Sequence, residues 1–316
     1  MTQQIRANGT LRHLLTLEGM PRSQIEALLT RAQKFVKPVG EPPAHNRSLE
    51  GITVANLFTE PSTRTRVSFE LAAKRLGADV VNLEVQLSSR VKGESMLDTI
   101  YTLEACHVDA FVIRDAEAGV LGIVAAHVQP HASVLSAGEA HVAHPTQGLL
   151  DALTILQAKQ KFDGLTIAIV GDIKHSRVAR SAWHALSTLG VAQIRIVAPK
   201  ALMPDASEFA GCERHTSIDA GIAGVDVVMM LRIQKERMAT VAIPDADRYF
   251  AQFGLSSERL ARAKPDAIVM HPQPMNRGIE IASDVADGPQ SVIRAQVRNG
   301  VAVRMAVLEA VIEGRG

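Results

Sequence analysis

The densest group of side chains suited to binding an anion is the run Glu60-Pro61-Ser62-Thr63-Arg64-Thr65-Arg66. It follows an apolar segment predicted as a strand and precedes a helical pattern. Hydroxyl residues at a helix start leave backbone N–H groups unpaired at the positive end of the helix dipole, which suits a phosphate. One Ser or Thr here would only cap the helix. Three hydroxyl groups with two guanidinium groups favour an anion-binding site, because one guanidinium group can bind two phosphate oxygens at once.

A second cluster, His144-Pro145-Thr146-Gln147, follows the fourth apolar run and begins a long helical pattern. His144 can donate a hydrogen bond to a carbonyl oxygen, and Gln147 offers both a donor and an acceptor. Alone, a His-Pro pair is more often a helix-start feature than a catalytic one. His141 and His144 form an H-x-x-H pair without acidic residues nearby in the sequence, so we predict no metal site.

Two arginines in the second half of the chain suit a ligand with two carboxylates. One ends the run Gly171-Asp172-Ile173-Lys174-His175-Ser176-Arg177, and the other begins the run Arg232-Ile233-Gln234-Lys235-Glu236-Arg237. Both runs follow predicted strands, although arginines in surface loops are usually only solvated. The G-x-G-x-x-G fingerprint and the phosphate loop ending in Gly-Lys-Ser/Thr are both missing, which argues against a nicotinamide enzyme or an ATPase.

Two other polar segments have open roles when only their residues are considered. The segment from Ser88 to Glu94 has no apolar anchor and is a candidate mobile lid. The run from His271 to Gly278 ends a predicted strand and contains two prolines. Two interpretations of that run stay open, namely backbone carbonyls that face a ligand and a plain turn.

The composition excludes several classes of protein. The 316 residues contain 34 Lys and Arg, 33 Asp and Glu, 47% hydrophobic residues and few aromatic ones (8 Phe, 2 Tyr and 1 Trp). A nucleic-acid binder needs a basic excess or aromatic platforms, and a disordered chain needs low hydrophobicity. The two cysteines, Cys106 and Cys212, cannot build a disulfide framework. We expect a cytoplasmic protein with no membrane or nucleic-acid partner, because neither a secretion signal nor a membrane-length apolar run is found.

Strands and helices alternate along the chain, and they must position these groups. Eight apolar runs are predicted as strands: 52–58, 79–85, 109–114, 132–137, 165–170, 192–198, 226–232 and 266–271. The more polar run 212–216 is a weaker ninth candidate. Helical patterns include 25–36, the segment after Arg66, 146–162 and 290–313. Val67, Leu71 and Leu76 are expected on the buried face of the second helix. Gly77 is expected to end that helix.

This order predicts an α/β fold with two doubly wound parallel-sheet domains, in which ligands bind beyond the carboxyl ends of the strands. We place the domain boundary near residue 150. Residues 1–149 then form the first domain and residues 150–289 the second. The C-terminal helix, within residues 290–316, is expected to pack back on the first domain.

Taken together, the motifs resemble the aspartate carbamoyltransferase family over nearly the whole chain. The motifs at 62–66 and 144–147 also resemble ornithine carbamoyltransferases, whereas Arg-x-Gln-Lys-Glu-Arg at 232–237 is typical of the aspartate branch. The ornithine branch's Ser-Met-Gly loop and His-Cys-Leu-Pro motif are missing, and His271-Pro272-Gln273-Pro274 replaces the second. The resemblance implies a carbamoyl phosphate domain, an aspartate domain, and carbamoyl transfer to aspartate in pyrimidine biosynthesis, with no cofactor and no metal.

The resemblance also implies a role for each site residue. The groups that would bind carbamoyl phosphate are Ser62, Thr63, Arg64, Thr65, Ser88, Arg114, His144, Gln147 and the backbone carbonyls of Gln273 and Pro274. The groups that would bind aspartate are Lys92, Arg177, Arg232 and Gln234. The implied catalytic groups are Arg64, Thr65, Lys92, Arg114 and His144, of which Thr65, Arg114 and His144 would polarise the carbonyl.

Partners are implied as well. In the family, the loop that contains Ser88 and Lys92 reaches the active site of a neighbouring subunit, so the resemblance implies a homotrimer with shared active sites. The continuation Pro274-Met275-Asn276-Arg277 resembles a branch whose trimers assemble with a dihydroorotase-like chain. Gln273 and His175 depart from the residues that many relatives have. Two alternatives are kept, a transcarbamoylase for another amine acceptor such as ornithine and a non-catalytic protein that binds phosphorylated metabolites.

Overall fold

The structure, a computed structural model of the 316-residue chain, describes residues 4–84, 95–233 and 246–315. The chain forms two compact units. Met1–Leu153 and Arg298–Gly316 form the first unit, and Thr154–Val297 forms the second. Among the described residues, no helix has the length and apolar character needed to cross a membrane.

All nine predicted strands are confirmed, and helices separate them along the chain. The strands are β1 (Thr53–Phe58), β2 (Asp79–Glu84), β3 (Ala110–Asp115), β4 (Ser133–Glu139), β5 (Thr166–Val170), β6 (Gln193–Val197), β7 (Glu213–His215), β8 (Val227–Met230) and β9 (Ile268–Met270). The helices are α1 (Arg22–Phe35), α2 (Thr63–Arg75), α3 (Met96–Ala105), α4 (Val120–His127), α5 (Pro145–Lys159), α6 (Arg177–Thr188), α7 (Ile218–Gly221), α8 (Ala246–Phe253), α9 (Ser257–Leu260), α10 (Ser283–Ala286) and α11 (Ile293–Glu313).

The first unit contains a parallel four-stranded sheet in the order β2-β1-β3-β4. Its central strands are buried, as expected for parallel strands covered by helices. Leu57, Phe111 and Ile113 of these strands form one core cluster with Ile100 of α3 and Leu121 of α4. The N-terminal segment lies beside the edge strand β4, where Leu14 forms a parallel β-bridge with Leu135.

Helix α2 ends where the sequence predicts, but it begins at Thr63, inside the run that was expected to precede it, and its buried face is different. Gly77 follows the helix with a φ of +84°, which confirms its predicted role in ending it. The buried side chains are Thr65, Phe69, Ala72 and Ala73, and Leu76 is buried just after the helix. The expectation for Val67 and Leu71 is wrong, since they are 44% and 39% exposed. Val67 and Leu71 are four residues apart, and so are Thr65 and Phe69, so the helix has two candidate buried faces. Packing against the sheet selects the face that contains Thr65 and Phe69.

The C-terminal helix packs on the N-terminal helix of the first unit, as predicted. Glu309 of α11 accepts a hydrogen bond from Arg31 of α1 over 2.8 Å and another from Asn46 over 3.2 Å. Beyond the helix, Arg315 forms an ion pair of 2.8 Å with Asp109, next to the start of β3. These contacts join the two ends of the chain within one unit.

The second unit contains a parallel five-stranded sheet in the order β7-β6-β5-β8-β9. The residues of β8 are all buried, which matches the continuous apolar run in the sequence. The two sheets with their flanking helices confirm the predicted α/β class.

Candidate functional site

The first candidate half-site lies where the chain changes direction across the first sheet. From β1 the chain passes to β2 on one side, and β3 lies on the other side, so the β1/β3 edge is a topological switch point. Thr59, just after β1, donates its backbone N–H to the carbonyl of Arg114 at the end of β3 over 3.0 Å. The anion-suited run and Arg114 therefore occupy neighbouring strand ends.

The N-terminus of α2 has no side-chain cap at its N-cap position. Ser62 occupies the N-cap position, but its side chain makes no capping hydrogen bond. The first turn of α2 contains no acidic residue that would offset the helix dipole. Thr65 is buried, whereas Thr63 and Arg64 are exposed. The start of this helix thus presents backbone N–H groups, hydroxyl groups and a guanidinium group together.

Contacts of its guanidinium group hold Arg114 at the strand end. A register shift between Ile113 and Arg114 interrupts the pairing of β3 with β4, and such bulges re-aim side chains. One guanidinium nitrogen donates to the carbonyl of Ala137 over 3.3 Å, and another lies 3.2 Å from a carboxylate oxygen of Glu60. The sequence did not predict Glu60 as a partner of Arg114, and its place in the Glu-Pro-Ser-Thr run was the only signal.

His144 and Gln147 lie at the start of α5, which begins at Pro145. Proline is favoured at this first helical position because its missing N–H would be unpaired anyway. The carbonyl of His144 accepts the backbone N–H of Gln147 over 2.9 Å, and both side chains are buried. The Gln147 amide nitrogen donates to Asp151 Oδ1 over 2.9 Å. The sequence did not predict Asp151 as part of the site, although its spacing of four residues from Gln147 is compatible with contact on one helix face.

The second candidate half-site lies at the switch point of the second sheet, between β5 and β8. Gly171 follows β5 with a φ of +133°, and a Cβ atom there would lie 3.1 Å from the carbonyl oxygen of Leu231. Leu231 in turn donates its backbone N–H to Val170 over 2.8 Å. This close approach of two backbones brings Arg232 beside the loop that leads to Arg177.

Arg177 is the first residue of α6 and is buried, while Arg232 is half-buried. Ser176 caps α6 by accepting the backbone N–H of Ala179 over 3.1 Å. The Nδ1 atom of His175 lies 2.9 Å from the fully buried carboxylate of Asp172. This contact fixes the side chain of His175, the residue of this loop that differs from the one in many relatives. Apart from the spacing of the two residues, nothing in the sequence indicated this Asp172–His175 contact.

The turn at Gln273 and Pro274 follows β9, the strand that pairs with β8. Gln273 has a φ of +57°, and the Gln273–Pro274 peptide bond is cis. Arg277 in the same turn pairs with Asp287 over 2.7 and 3.0 Å. This ion pair lies at the surface of the turn and is half-exposed. Among the described residues, no group of three or more His, Cys, Asp or Glu side chains is arranged to hold a metal ion.

Ser88, Lys92 and Gln234 lie outside the described residues. The whole segment from Ser88 to Glu94 lies outside them as well, and so does most of the run that begins at Arg232. The predicted roles of these residues stay predictions.

Each of the two units matches a domain that is known from other proteins. A family model described as the carbamoyl-P binding domain of aspartate/ornithine carbamoyltransferase matches residues 12–157. The model of the Asp/Orn binding domain matches residues 163–311. Aspartate transcarbamoylase from Trypanosoma cruzi in complex with carbamoyl phosphate is 32% identical, with a TM-score of 0.86 over 95% of this chain and 96% of that chain. Ornithine carbamoyltransferase from Pyrococcus furiosus is 31% identical, with a TM-score of 0.83 over 96% of this chain and 97% of that chain.

The chain is therefore a two-domain α/β protein with the transcarbamoylase fold. The complex of the Trypanosoma cruzi enzyme with carbamoyl aspartate and phosphate is similar over 98% of both chains, with 32% identity and a TM-score of 0.85. The chain belongs to the aspartate/ornithine carbamoyltransferase family. The resemblance inferred from the sequence motifs is thereby confirmed.

Proposed function

We propose that the protein transfers the carbamoyl group of carbamoyl phosphate to the amine of L-aspartate, giving N-carbamoyl-L-aspartate and phosphate for pyrimidine synthesis. The observation that carries this proposal is the pair of arginines, Arg177 and Arg232, at the β5/β8 switch point. Aspartate has two carboxylates, so each guanidinium has an anionic partner. Ornithine has one carboxylate and an ammonium group, which a second guanidinium would repel.

The first half-site supports carbamoyl phosphate as the donor. The start of α2 offers N–H and hydroxyl groups to the phosphate, with Arg64 as a cationic partner. In the proposal, Thr65, Arg114 and His144 donate to the carbonyl oxygen as negative charge develops on it. The loss of one such donor typically costs about 100- to 1,000-fold in rate. Gln147 accepts a hydrogen bond from the carbamoyl amino group, and so do the carbonyls of Gln273 and Pro274.

The proposed reaction needs positioning and charge neutralisation more than a chemical catalyst. The neutral amine of aspartate attacks the carbamoyl carbon and a C–N bond forms. The C–O bond to phosphate then breaks, and the proton that the amine loses passes to the departing phosphate. Holding two reactants in the correct geometry can lower a barrier by about 7–11 kcal/mol. Two anionic substrates repel each other, and the guanidinium groups of both half-sites offset that repulsion.

Incubation with carbamoyl phosphate and one amino acid at a time tests the substrate. We expect aspartate to give a ureido product and an equal amount of phosphate, and ornithine to give neither. Turnover of ornithine without turnover of aspartate would favour the first alternative. Tight binding of carbamoyl phosphate without transfer to any amino acid would favour a non-catalytic binding protein.

Two variants of α2 test the phosphate assignment. Arg64→Ala is expected to lower kcat/KM by about 100-fold or more, because the exposed guanidinium serves the ligand. The matched control is Lys74→Ala, which removes an exposed cation paired with Glu70 at the other end of the same helix. Equal activities of the two variants would contradict the assignment.

Shared active sites in a homotrimer are also part of the proposal. The exposed apolar pair Val67 and Leu71 on α2 fits a surface covered by another subunit. Lys92 belongs to the loop that reaches a neighbouring site in the family. Mixing inactive Lys92→Ala and Arg64→Ala proteins should regenerate activity after subunit exchange, because some sites then combine two intact contributions. Exchange without recovery would indicate self-contained sites. Co-purification would test the proposed dihydroorotase-like partner.

A further inference from the structure

His271 is a buried histidine with a defined proton position at the end of β9. It is 1% exposed and bonded at both ring nitrogens. The backbone N–H of Gln273 donates to Nδ1 over 2.9 Å, so Nδ1 must be unprotonated. The ring proton then lies on Nε2, which donates to Glu280 Oε1 over 3.2 Å. The backbone N–H of His271 donates to the Gln296 side chain over 2.9 Å and fixes the base of the turn.

Glu280 binds the other end of the same turn. Its carboxylate is 0% exposed and accepts the backbone N–H of Asn276 as well as the His271 ring. The Asn276 side-chain nitrogen donates to the second carboxylate oxygen over 3.2 Å. One buried carboxylate thus holds Asn276 directly and Gln273 through the imidazole of His271. Gln273 is therefore one of the two attached residues, and Pro274 lies between it and Asn276.

This arrangement is more costly than closing the turn requires. Removing a carboxylate from water is unfavourable unless hydrogen bonds replace its lost hydration. The same turn already has a half-exposed ion pair between Arg277 and Asp287. In addition, Gln273 has a left-handed φ of +57°, a conformation that persists only when its surroundings impose it. The buried pair therefore specifies a backbone conformation that is otherwise disfavoured.

We propose that His271 and Glu280 are positioning residues that fix the direction of the Gln273 and Pro274 carbonyls. The inference rests on the proposed function, in which these carbonyls accept hydrogen bonds from the carbamoyl amino group. His271 sets the Gln273 peptide through Nδ1, and Glu280 sets the ring through Nε2. Neither side chain has to touch the substrate.

Two substitutions of His271 separate its two hydrogen bonds. In His271→Asn the side-chain oxygen can replace Nδ1 as the acceptor for Gln273, whereas in His271→Gln the amide reaches toward Glu280 but no longer accepts from Gln273. We expect His271→Gln and Glu280→Gln to lower kcat/KM for carbamoyl phosphate by about 10- to 100-fold, since small misplacements of binding groups cost this much. His271→Asn should recover a large part of that loss.

Measurements besides activity distinguish positioning from folding. Binding of inorganic phosphate by calorimetry should stay within about two-fold of wild type, because phosphate is assigned to residues of the first unit. Arg277→Gln, in the same turn but at the surface, is the matched control and should keep wild-type kcat/KM. A thermal unfolding transition checks that each variant is folded.

Three outcomes would count against the inference. If the wild-type protein is active and both His271→Gln and Glu280→Gln keep its kcat/KM, this inference is wrong and the proposed function stands. Losses that match the unfolded fraction of each variant would show that the pair serves the fold. A wild-type protein that binds phosphate but forms no carbamoyl aspartate would overturn the proposed function, and this inference with it.

Discussion

The side-chain amide nitrogen of Gln147 donates a hydrogen bond of 2.9 Å to the buried carboxylate of Asp151, one turn further along α5. Because a carboxylate accepts and does not donate when ionised, this contact fixes which way the Gln147 amide faces. The nitrogen is used within the helix, and the oxygen is directed elsewhere. By residue type Gln147 can donate or accept, and this orientation is compatible with the acceptor role proposed for it.

Asp151→Asn tests this orientation. An asparagine can donate as well as accept, so the Gln147 amide can flip and present its nitrogen where an acceptor is needed. We expect kcat/KM for carbamoyl phosphate to fall about 2- to 10-fold, since one hydrogen bond is worth about 0.5–1.5 kcal/mol. The KM for aspartate should change less. Lys159→Gln, at the other end of the same helix, is the control, and an equal loss in both variants would contradict the prediction.

Gly171→Ala tests the close approach between the β5 and β8 loops. A Cβ atom at residue 171 would lie 3.1 Å from both Cβ and the carbonyl oxygen of Leu231, so the segment that leads to Arg232 must shift. We expect the aspartate KM to rise about 10-fold, with phosphate affinity unchanged, because misplacement of a binding group by about 1 Å can cost up to 100-fold.

Gly164→Ala is the matched control for that substitution. Gly164 has a φ of +73°, and a Cβ atom added there would have only Lys161 Nζ nearby, at 4.0 Å. Its substitution therefore has the backbone cost of a positive φ without the contact. If both variants raise the aspartate KM equally, the close approach to Leu231 is not what positions Arg232.

The elements of both units could be predicted because their signals are local. Apolar runs of strand length separated by helical patterns mark parallel sheets, and all nine predicted strands are confirmed. The face of α2 could not be predicted, because Val67–Leu71 and Thr65–Phe69 have the same spacing. Only the sheet beneath the helix distinguishes them, and that contact is tertiary.

The candidate site shows the same division between local and tertiary information. Arginines, hydroxyl groups and histidine at strand ends were found from residue type and position. Their carboxylate partners Glu60, Asp151 and Glu280 were not, because a carboxylate that orients another side chain has no pattern of its own in the sequence. The clearest available signal was a spacing of four residues, as between Gln147 and Asp151, and such spacings are common in any helix.

His13 makes the stability of the first unit sensitive to acid. Burial, with Arg12 and Arg6 adding to it, lowers the pKa of His13 from 6.5 to about 3. Its Nδ1 accepts the backbone N–H of Val134 over 2.9 Å, so the folded protein needs the neutral ring. Between pH 6.5 and about 3 the unfolded chain binds a proton that the folded protein does not. The free energy of unfolding therefore falls as pH falls, by about 1.4 kcal/mol per pH unit.

Urea unfolding at pH 7 and pH 5 checks this, with His13→Asn as the test variant. Asparagine can still accept from Val134 but does not titrate, so the loss of stability between these pH values should be about 2 kcal/mol smaller than in wild type. His131→Asn changes an exposed histidine and should leave the pH dependence as it is. A His13→Asn protein with the full acid sensitivity would show that other groups cause it.

Arg304 is a buried cation whose positive charge is not expected to stabilise the first unit. It is 4% exposed, donates to the carbonyl of Gly300 over 2.9 Å, and lies 5.0 Å from the centre of the Phe69 ring. Burial lowers the pKa of Arg304 to about 10. The hydrogen bond contributes about 1.5–3 kcal/mol and the ring contact about 0.5–2 kcal/mol. Desolvating the guanidinium costs several kcal/mol, which equals or exceeds these gains.

We therefore expect Arg304→Met to leave the free energy of unfolding unchanged or to raise it by about 1–2 kcal/mol, since methionine keeps the packing on Phe69. Arg304→Ala removes the charge and also leaves a cavity, so it should lower the free energy of unfolding by about 2–5 kcal/mol. Thermal unfolding of both variants separates the effect of charge from that of volume. A loss of more than about 2 kcal/mol in Arg304→Met would mean that the hydrogen bond and the ring contact outweigh the desolvation of the buried guanidinium.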